Sequence, residues 1–242
     1  MFISPMLLQE LDSPTEDYAN VITELKLDGI RLVYSNLNGK PKLYTRFNQD
    51  VTFLFPEICS TSLPKGIILD GELISPDFEN EPNFLLLLER FKSKKAMTRV
   101  PVQYVAFDIL YYKGRKVTQF ALRKRKDLLN LVIPTDTVTI VSSQWVEGNA
   151  KSYFEVVKEY NLEGIVMKKP QSKYHIGKRT NDWSKVLNYN YRKEKQTAII
   201  NKSNVLLFEN KSYHLHFLEF QSTKNRRKLY ETYRQFLNKK MM

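Results

Sequence analysis

The chain has one cysteine, Cys59, among 242 residues. No disulfide can form within it, and a reducing, cytoplasmic setting is the expectation. It also lacks any run of 18 or more apolar residues. The nearest, Phe84 to Phe91 (FLLLLERF), is short and ends in charge, which excludes a transmembrane helix and suits the buried side of a helix. The start, MFISPMLLQEL, has no basic segment and turns acidic early, unlike a secretory signal. No GxxxxGK[ST] loop and no GxGxxG after a strand are present, so neither a P-loop nor a dinucleotide-binding fold is indicated. His214 and His216 form an HxH pair, but without a Cys or carboxylate ligand pattern nearby they do not make a zinc site, and His175 leads into a later motif. Internal repeats and low-complexity segments are absent.

What is present is a globular composition, 42% hydrophobic, with a formal net charge of +12. The excess is uneven. Residues 191–242 hold 12 Lys and Arg against 4 Asp and Glu, or +8, whereas residues 1–190 hold 26 against 22, or +4. Basic side chains that neutralise phosphates release counterions and bind polyanions with little regard to sequence. A basic tail that is merely solvated is the alternative.

Strand-like runs (VITELKL, IRLVYSN, KLYTRF, GIILDGELI, VQYVAFDILYY, TVTIVSS, GIVMKK) alternate with helical pieces (PNFLLLLERFKSKK, ALRKRKDLLNLV, AKSYFEVVKEY). The pattern predicts an antiparallel α+β domain over residues 1–190 in which strands carry the site. NYNYRKEK interrupts it at Tyr189 to Glu194, and the runs QTAII, NVLLFEN and YHLHFLEF, then a basic helical stretch, follow.

The segment ELKLDGIR, Glu24 to Arg31, places Lys26 two residues before Asp28-Gly29 and five before Arg31. An ordinary lysine is protonated at neutral pH, so a nucleophilic one needs neighbours that favour the free amine. Asp28 and Arg31 are suitable neighbours, and Gly29 tolerates positive φ and close approach. The competing view is a strand that ends in an Asp-Gly hairpin turn. Glu24 and Lys26 share a strand face by alternation, as do Asp70 and Glu72 in LDGEL. Two carboxylates this close call for a cation or donor between them, although Asp70 could instead cap a turn.

KLDGIR resembles the nucleotidyl-lysine motif of the covalent nucleotidyltransferases: ATP-dependent DNA ligases, RNA ligases and mRNA-capping enzymes. Tyr44 to Asn48 (YTRFN), Leu69 to Leu73 (LDGEL), Val105 to Tyr112 (VAFDILYY), Leu162 to Pro170 (LEGIVMKKP) and Trp183 to Tyr189 (WSKVLNY) resemble the superfamily's later motifs, in its order. The resemblance implies that Lys26 attacks the α-phosphate of ATP. It further implies that Glu24 contacts the adenine, that Arg31 and Arg46 bind phosphate or ribose, and that Phe107 stacks on the purine. Glu72 would bind ribose and, with Glu163, Mg²⁺ (or Mn²⁺). Lys168 and Lys185 would neutralise the α-phosphate, Leu187 standing where the family usually has a second lysine.

The same resemblance implies an adenylation domain over 1–190 and a partial oligonucleotide-binding (OB) barrel over 191–242 that ends in a basic helix. No counterpart of the barrel's last strands and sixth motif is found, so slow ATP loading is the expectation. Segments such as FDILYY and EGIVMKK favour a small bacterial or phage ATP-dependent DNA ligase, acting as a monomer on nicked duplex DNA, with accessory DNA-end or repair proteins as further partners. An RNA ligase, and a non-sealing nucleic-acid-binding relic, are the alternatives.

Overall fold

The computed structural model describes residues 1–14, 21–75, 84–93, 100–133, 137–148 and 150–193. The partial OB barrel, the basic helix and the HxH pair expected beyond them lie outside the described residues. The chain divides into two compact units, Met1–Lys195 and Gln196–Met242, and the described strands and helices belong to the first.

Two sheets make up this unit. One has five strands in the order β1-β11-β10-β2-β9, with β1 Leu7–Leu11, β2 Ile22–Leu25, β9 Trp145–Glu147, β10 Gly164–Lys168 and β11 Arg179–Leu187. The other has six. Its path runs β4 (Lys42–Thr45), β3 (Ile30–Asn36), β5 (Ile67–Ile74), β6 (Gln103–Tyr112), β7 (Arg115–Lys116), and β8 (Ile140–Ser142) pairs with β6. Four α-helices accompany them among the described residues: α1 Pro56–Ser60, α2 Phe84–Lys92, α3 Leu122–Val132 and α4 Ala150–Glu159. No described helix is long and apolar enough to cross a membrane.

The sheets are mixed rather than antiparallel as expected, because β1 pairs with β11 and β6 with β8 in parallel. Neither pair is joined by a tight turn, and the chain between β6 and β8 carries α3, the kind of crossover a parallel pair requires. Strands β1 and β11 escape a pattern search: the first is half-buried throughout and the second shows no regular alternation of exposure. The Asp28-Gly29 step is not a hairpin turn either. Strand β2 pairs with β10 and β9, β3 with β4 and β5, so this step carries the chain from one sheet to the other.

Between the sheets, Ile22 and Trp183 of the first meet Val33, Ile68 and Leu110 of the second, with Leu122 of α3, Met6 and Tyr174. Helix α4 covers the first sheet through Ala150, Phe154 and Val157, against Ile165, Met167 and Val186. In α3 the buried positions are Leu122, Arg125, Lys126, Leu129 and Val132, a helical stripe with two cations in it. Arg125 forks onto Asp108 of β6, both contacts at 2.8 Å, and also donates to the carbonyls of Phe120 and Ser172.

Both members of the Arg125–Asp108 pair are fully buried. Removing one strands the other charge away from water, so Arg125→Met is expected to lower stability by about 3–5 kcal/mol. Urea unfolding checks this, and a loss under about 1 kcal/mol contradicts it.

Candidate active site

Pairing of β2 with β10 sets Leu25 opposite Ile165, and the Lys26 amide donates to the carbonyl of Gly164 at 2.8 Å. This brings Lys26 beside Glu163. Its Nζ donates to Glu163 Oε2 at 3.0 Å and to the Leu27 carbonyl at 2.9 Å. Gly164 has φ +153°, and a Cβ there would stand 2.2 Å from the Val186 carbonyl, so glycine lets the chain after Glu163 lie against β11. Gly29 is needed for space rather than for positive φ. A Cβ on it would fall 2.2 Å from the Leu73 carbonyl and 2.9 Å from Glu72 Cγ, so its absence lets the motif pack on β5 beside Glu72.

These neighbours act on Lys26 in the sense opposite to the expectation. Burial disfavours its charge, but the carboxylates of Glu163, Glu72 and Asp28 outweigh burial and hold the ammonium above the ordinary lysine range. The resting Lys26 is a stored cation, not a free amine. Glu72 shows the reciprocal stress. Burial raises it, Lys26 and Arg31 pull it down, Glu163 and Asp28 push it up, and it settles at about 7. On β11, opposite both Val166 and Glu10, Lys185 reaches Glu10 Oε2 at 3.2 Å. Burial and the charge of Lys26 hold it below the ordinary lysine value, although Glu10 opposes them.

A second cluster adjoins the first. Arg31 forks onto Asp70, Nε to Oδ1 at 2.9 Å and Nη2 to Oδ2 at 2.6 Å, and the Tyr174 hydroxyl donates to the same Oδ2 at 2.6 Å. Asp70 therefore does not cap a turn. It sits fully buried in the middle of β5 and anchors the arginine. The Arg31 guanidinium carbon lies 5.2 Å from the centre of the Phe107 ring, and Lys168 Nζ lies 4.5 Å from the same ring and 4.3 Å from that of Trp183. Cations thus attend the half-exposed ring that is expected to stack on a purine.

Lys168 also donates to Glu24 Oε2 at 2.8 Å, and Lys126 of α3 pairs with Glu24 Oε1. Burial lowers Lys168 to about 8 against the pull of Glu24, with Lys126 adding to the depression. Glu24 itself stays below the usual carboxylate value: burial raises it, but Lys126 and Lys168 prevail. Glu24 and Lys26, though two apart, engage different partners.

Arg46 lies in the turn after β4, its guanidinium 4.8 Å over the Phe47 ring. Leu187 ends β11 opposite Gly164. Among the described residues no three His, Cys, Asp or Glu side chains are arranged to hold a metal. A hard divalent cation shared with phosphate needs only one or two carboxylates, and Glu72, held up in part by the charge of Glu163, is a carboxylate that such a cation would relieve.

Sequence reasoning did not find Lys126, Tyr174, Trp183, Glu10 or Tyr191, whose hydroxyl donates to Asp28 Oδ2 at 2.6 Å. For Lys126 a signal existed: from Leu122 to Val132, spacings of three and four put Arg125 and Lys126 on the buried face. Tyr174 and Tyr191 meet their partners only through the fold.

The family model of the ATP dependent DNA ligase domain matches residues 5–186. The chain belongs to the ATP-dependent DNA ligase domain family. Among members of that family, the SPbeta prophage-derived DNA ligase-like protein LigB of Bacillus subtilis (strain 168) is 44% identical over 191 residues, 79% of this chain and 69% of that protein. A DNA ligase of Haloarcula marismortui is 32% identical over 181 residues, 70% of this chain and 32% of its own length. The chain thus spans about a third of that archaeal ligase. In fold, it resembles a mycobacterial DNA ligase D complexed with ATP and MES (TM-score 0.65, 23% identity, 76% of this chain and 60% of that one). It also resembles the ATP-dependent DNA ligase of bacteriophage T7 in complex with ATP (TM-score 0.55, 17% identity, 76% and 68%).

A carboxyl that binds its proton more tightly folded than unfolded weakens the fold as pH rises from its unfolded to its folded value. For Glu72 that window runs from 4.5 to about 7. Between pH 5 and 8, native protein is therefore expected to lose roughly 2–3 kcal/mol relative to Glu72→Gln. Denaturant melts of the two proteins across that range check it. A difference that stays flat with pH contradicts the assignment.

Proposed function

We propose that this chain is an ATP-dependent DNA ligase that joins a 5′-phosphate to a neighbouring 3′-hydroxyl at a nick in duplex DNA, through a lysyl-AMP intermediate. The observation that carries the proposal is the placement of Lys26, with Glu163 at 3.0 Å, Glu72 acting on its charge and Lys185 close enough to feel that charge. Lys26 Nζ, having lost its proton, attacks the α-phosphorus of ATP. A P–N bond forms, the bond to the bridging oxygen breaks, and pyrophosphate leaves with the electron pair. An oxygen of the DNA 5′-phosphate then attacks the same phosphorus and the P–N bond breaks, returning the amine. Finally the 3′-hydroxyl attacks the activated 5′-phosphate and AMP departs.

Catalysis of this kind is mainly positioning and neutralisation of phosphate charge. Lys185 and Lys168 serve the α-phosphate, Arg31 and Arg46 the phosphate or ribose oxygens. Phe107 stacks on the base, Glu24 reads its edge and Glu72 binds the ribose. Glu72 and Glu163 would hold Mg²⁺, or Mn²⁺, which when bound supplies positive charge to the phosphates. Residues 1–190 form the adenylation domain in this proposal. Residues 191–242, a partial OB-type barrel with a basic helix, grip the duplex backbone.

With labelled ATP and Mg²⁺, native protein should hold label covalently and Lys26→Ala should not; nicked DNA should then discharge the label with sealing. Label on Lys26→Ala, or none on native protein, contradicts the proposal. Binding to an unligatable nick should weaken steeply with salt for the full chain, and a shallower slope is expected after the basic side chains Arg226, Arg227 and Lys228 are replaced by alanine. An unchanged slope refutes that part.

A further inference from the structure

We infer that Lys126, on α3 and outside every motif, is the positioning residue that fixes Glu24 as a base-reading carboxylate and so sets the preference for ATP over GTP. The inference rests on the proposed function, within which Glu24 reads the edge of the base. Lysines are almost never fully buried unless paired, and Lys126 is 2% exposed. Its Nζ pairs with Glu24 Oε1 and donates to Ser143 Oγ at 3.1 Å. Glu24, 3% exposed, is clasped on its other oxygen by Lys168.

The two clasping lysines are not equivalent. Lys168 Nζ also rests 4.5 Å from the Phe107 ring and 4.3 Å from the Trp183 ring. A purine stacking on Phe107 competes for that place, so Lys168 is the partner whose contacts change when nucleotide enters. Lys126 touches neither ring through any of these contacts. It is tied instead to Ser143, just after β8, a strand anchored in the six-stranded sheet, and can keep Glu24 ionised and aimed while Lys168 moves. An ionised carboxylate only accepts hydrogen bonds. Adenine presents an amino donor at its 6-position, where guanine presents an oxygen acceptor. A fixed carboxylate therefore attracts one base and repels the other, and selectivity of this kind is lost when its aim is lost.

The experiment is Lys26 nucleotidylation with labelled ATP and labelled GTP, with Mg²⁺, in native protein, Lys126→Met, Lys126→Arg, Glu24→Gln and the double variant Glu24→Gln/Lys126→Met. Lys126→Met is expected to raise the KM for ATP and to cut the ATP-over-GTP preference by about tenfold or more, whereas Lys126→Arg stays within about threefold of native. The double variant should match Glu24→Gln, since Lys126 acts through that carboxylate. Native preference in Lys126→Met, or a double variant clearly less selective than Glu24→Gln, overturns the inference. If Lys126→Met fails to fold around a buried Glu24 held by Lys168 alone, the comparison of the double variant with Glu24→Gln decides, because it leaves no buried carboxylate behind. Absence of any label from ATP on native protein sinks the proposed function and this inference with it; labelling of native protein with unchanged selectivity in Lys126→Met sinks the inference alone.

Discussion

The contact between Lys26 and Glu163, residues 137 positions apart in the chain, is the constraint on which the site depends. It forms because β2 pairs with β10 in a register that ends with Lys26 opposite Gly164, and because Gly164 admits a backbone no other residue would tolerate there. Three further cations of the site are matched in the same way. Arg31 is held by Asp70, Lys168 by Glu24 and Lys185 by Glu10. The resting site is thus a set of ion pairs in which Lys26, Arg31, Lys168 and Lys185, all expected to meet phosphate or ribose, each face a carboxylate. Polyphosphate binding becomes an exchange of partners, less costly than ordering free charges from water, since the side chains are already held in place.

The same interactions tie the site to the core. Asp70 receives Arg31 and Tyr174, and Tyr174 in turn accepts the amide of Met6 at 2.9 Å and packs edge-on against Trp183. Asp108, facing Asp70 across β5 and β6, is neutralised by Arg125. Two buried carboxylates on neighbouring strands would repel each other without these arginines. The interior between the sheets is therefore partly an electrostatic scaffold that aims Arg31 at the ring of Phe107.

Much of this was legible in the chain. The order of motifs pointed to Lys26, Glu72 and Glu163 as one site, and strand-like runs of β-branched and aromatic residues located β3, β5, β6 and β10. Three things were not legible. Local sequence cannot show that Asp28-Gly29 crosses between sheets, because the partners of β2 and β3 lie far along the chain. It could suggest that neighbouring charges lower the pKa of Lys26, but the sign depends on which side chains surround the amine, and in space three of them are carboxylates. The spacing of apolar residues in α3 can put Arg125 and Lys126 on its buried face, but their partners Asp108 and Glu24 are fixed only by the fold.

In the proposed reaction Lys26, at rest an ammonium held by carboxylates, gives up its proton before it attacks. Trace acylation of all lysines in the nucleotide-free protein, followed by mass spectrometry across a pH series, reads the midpoint and reactivity of each amine. Lys26 is expected to be unreactive at neutral pH and to titrate above the surface lysines, and Glu163→Gln is expected to move its midpoint down. A Lys26 that titrates below the surface lysines, already reactive near neutral pH, would contradict that resting charge.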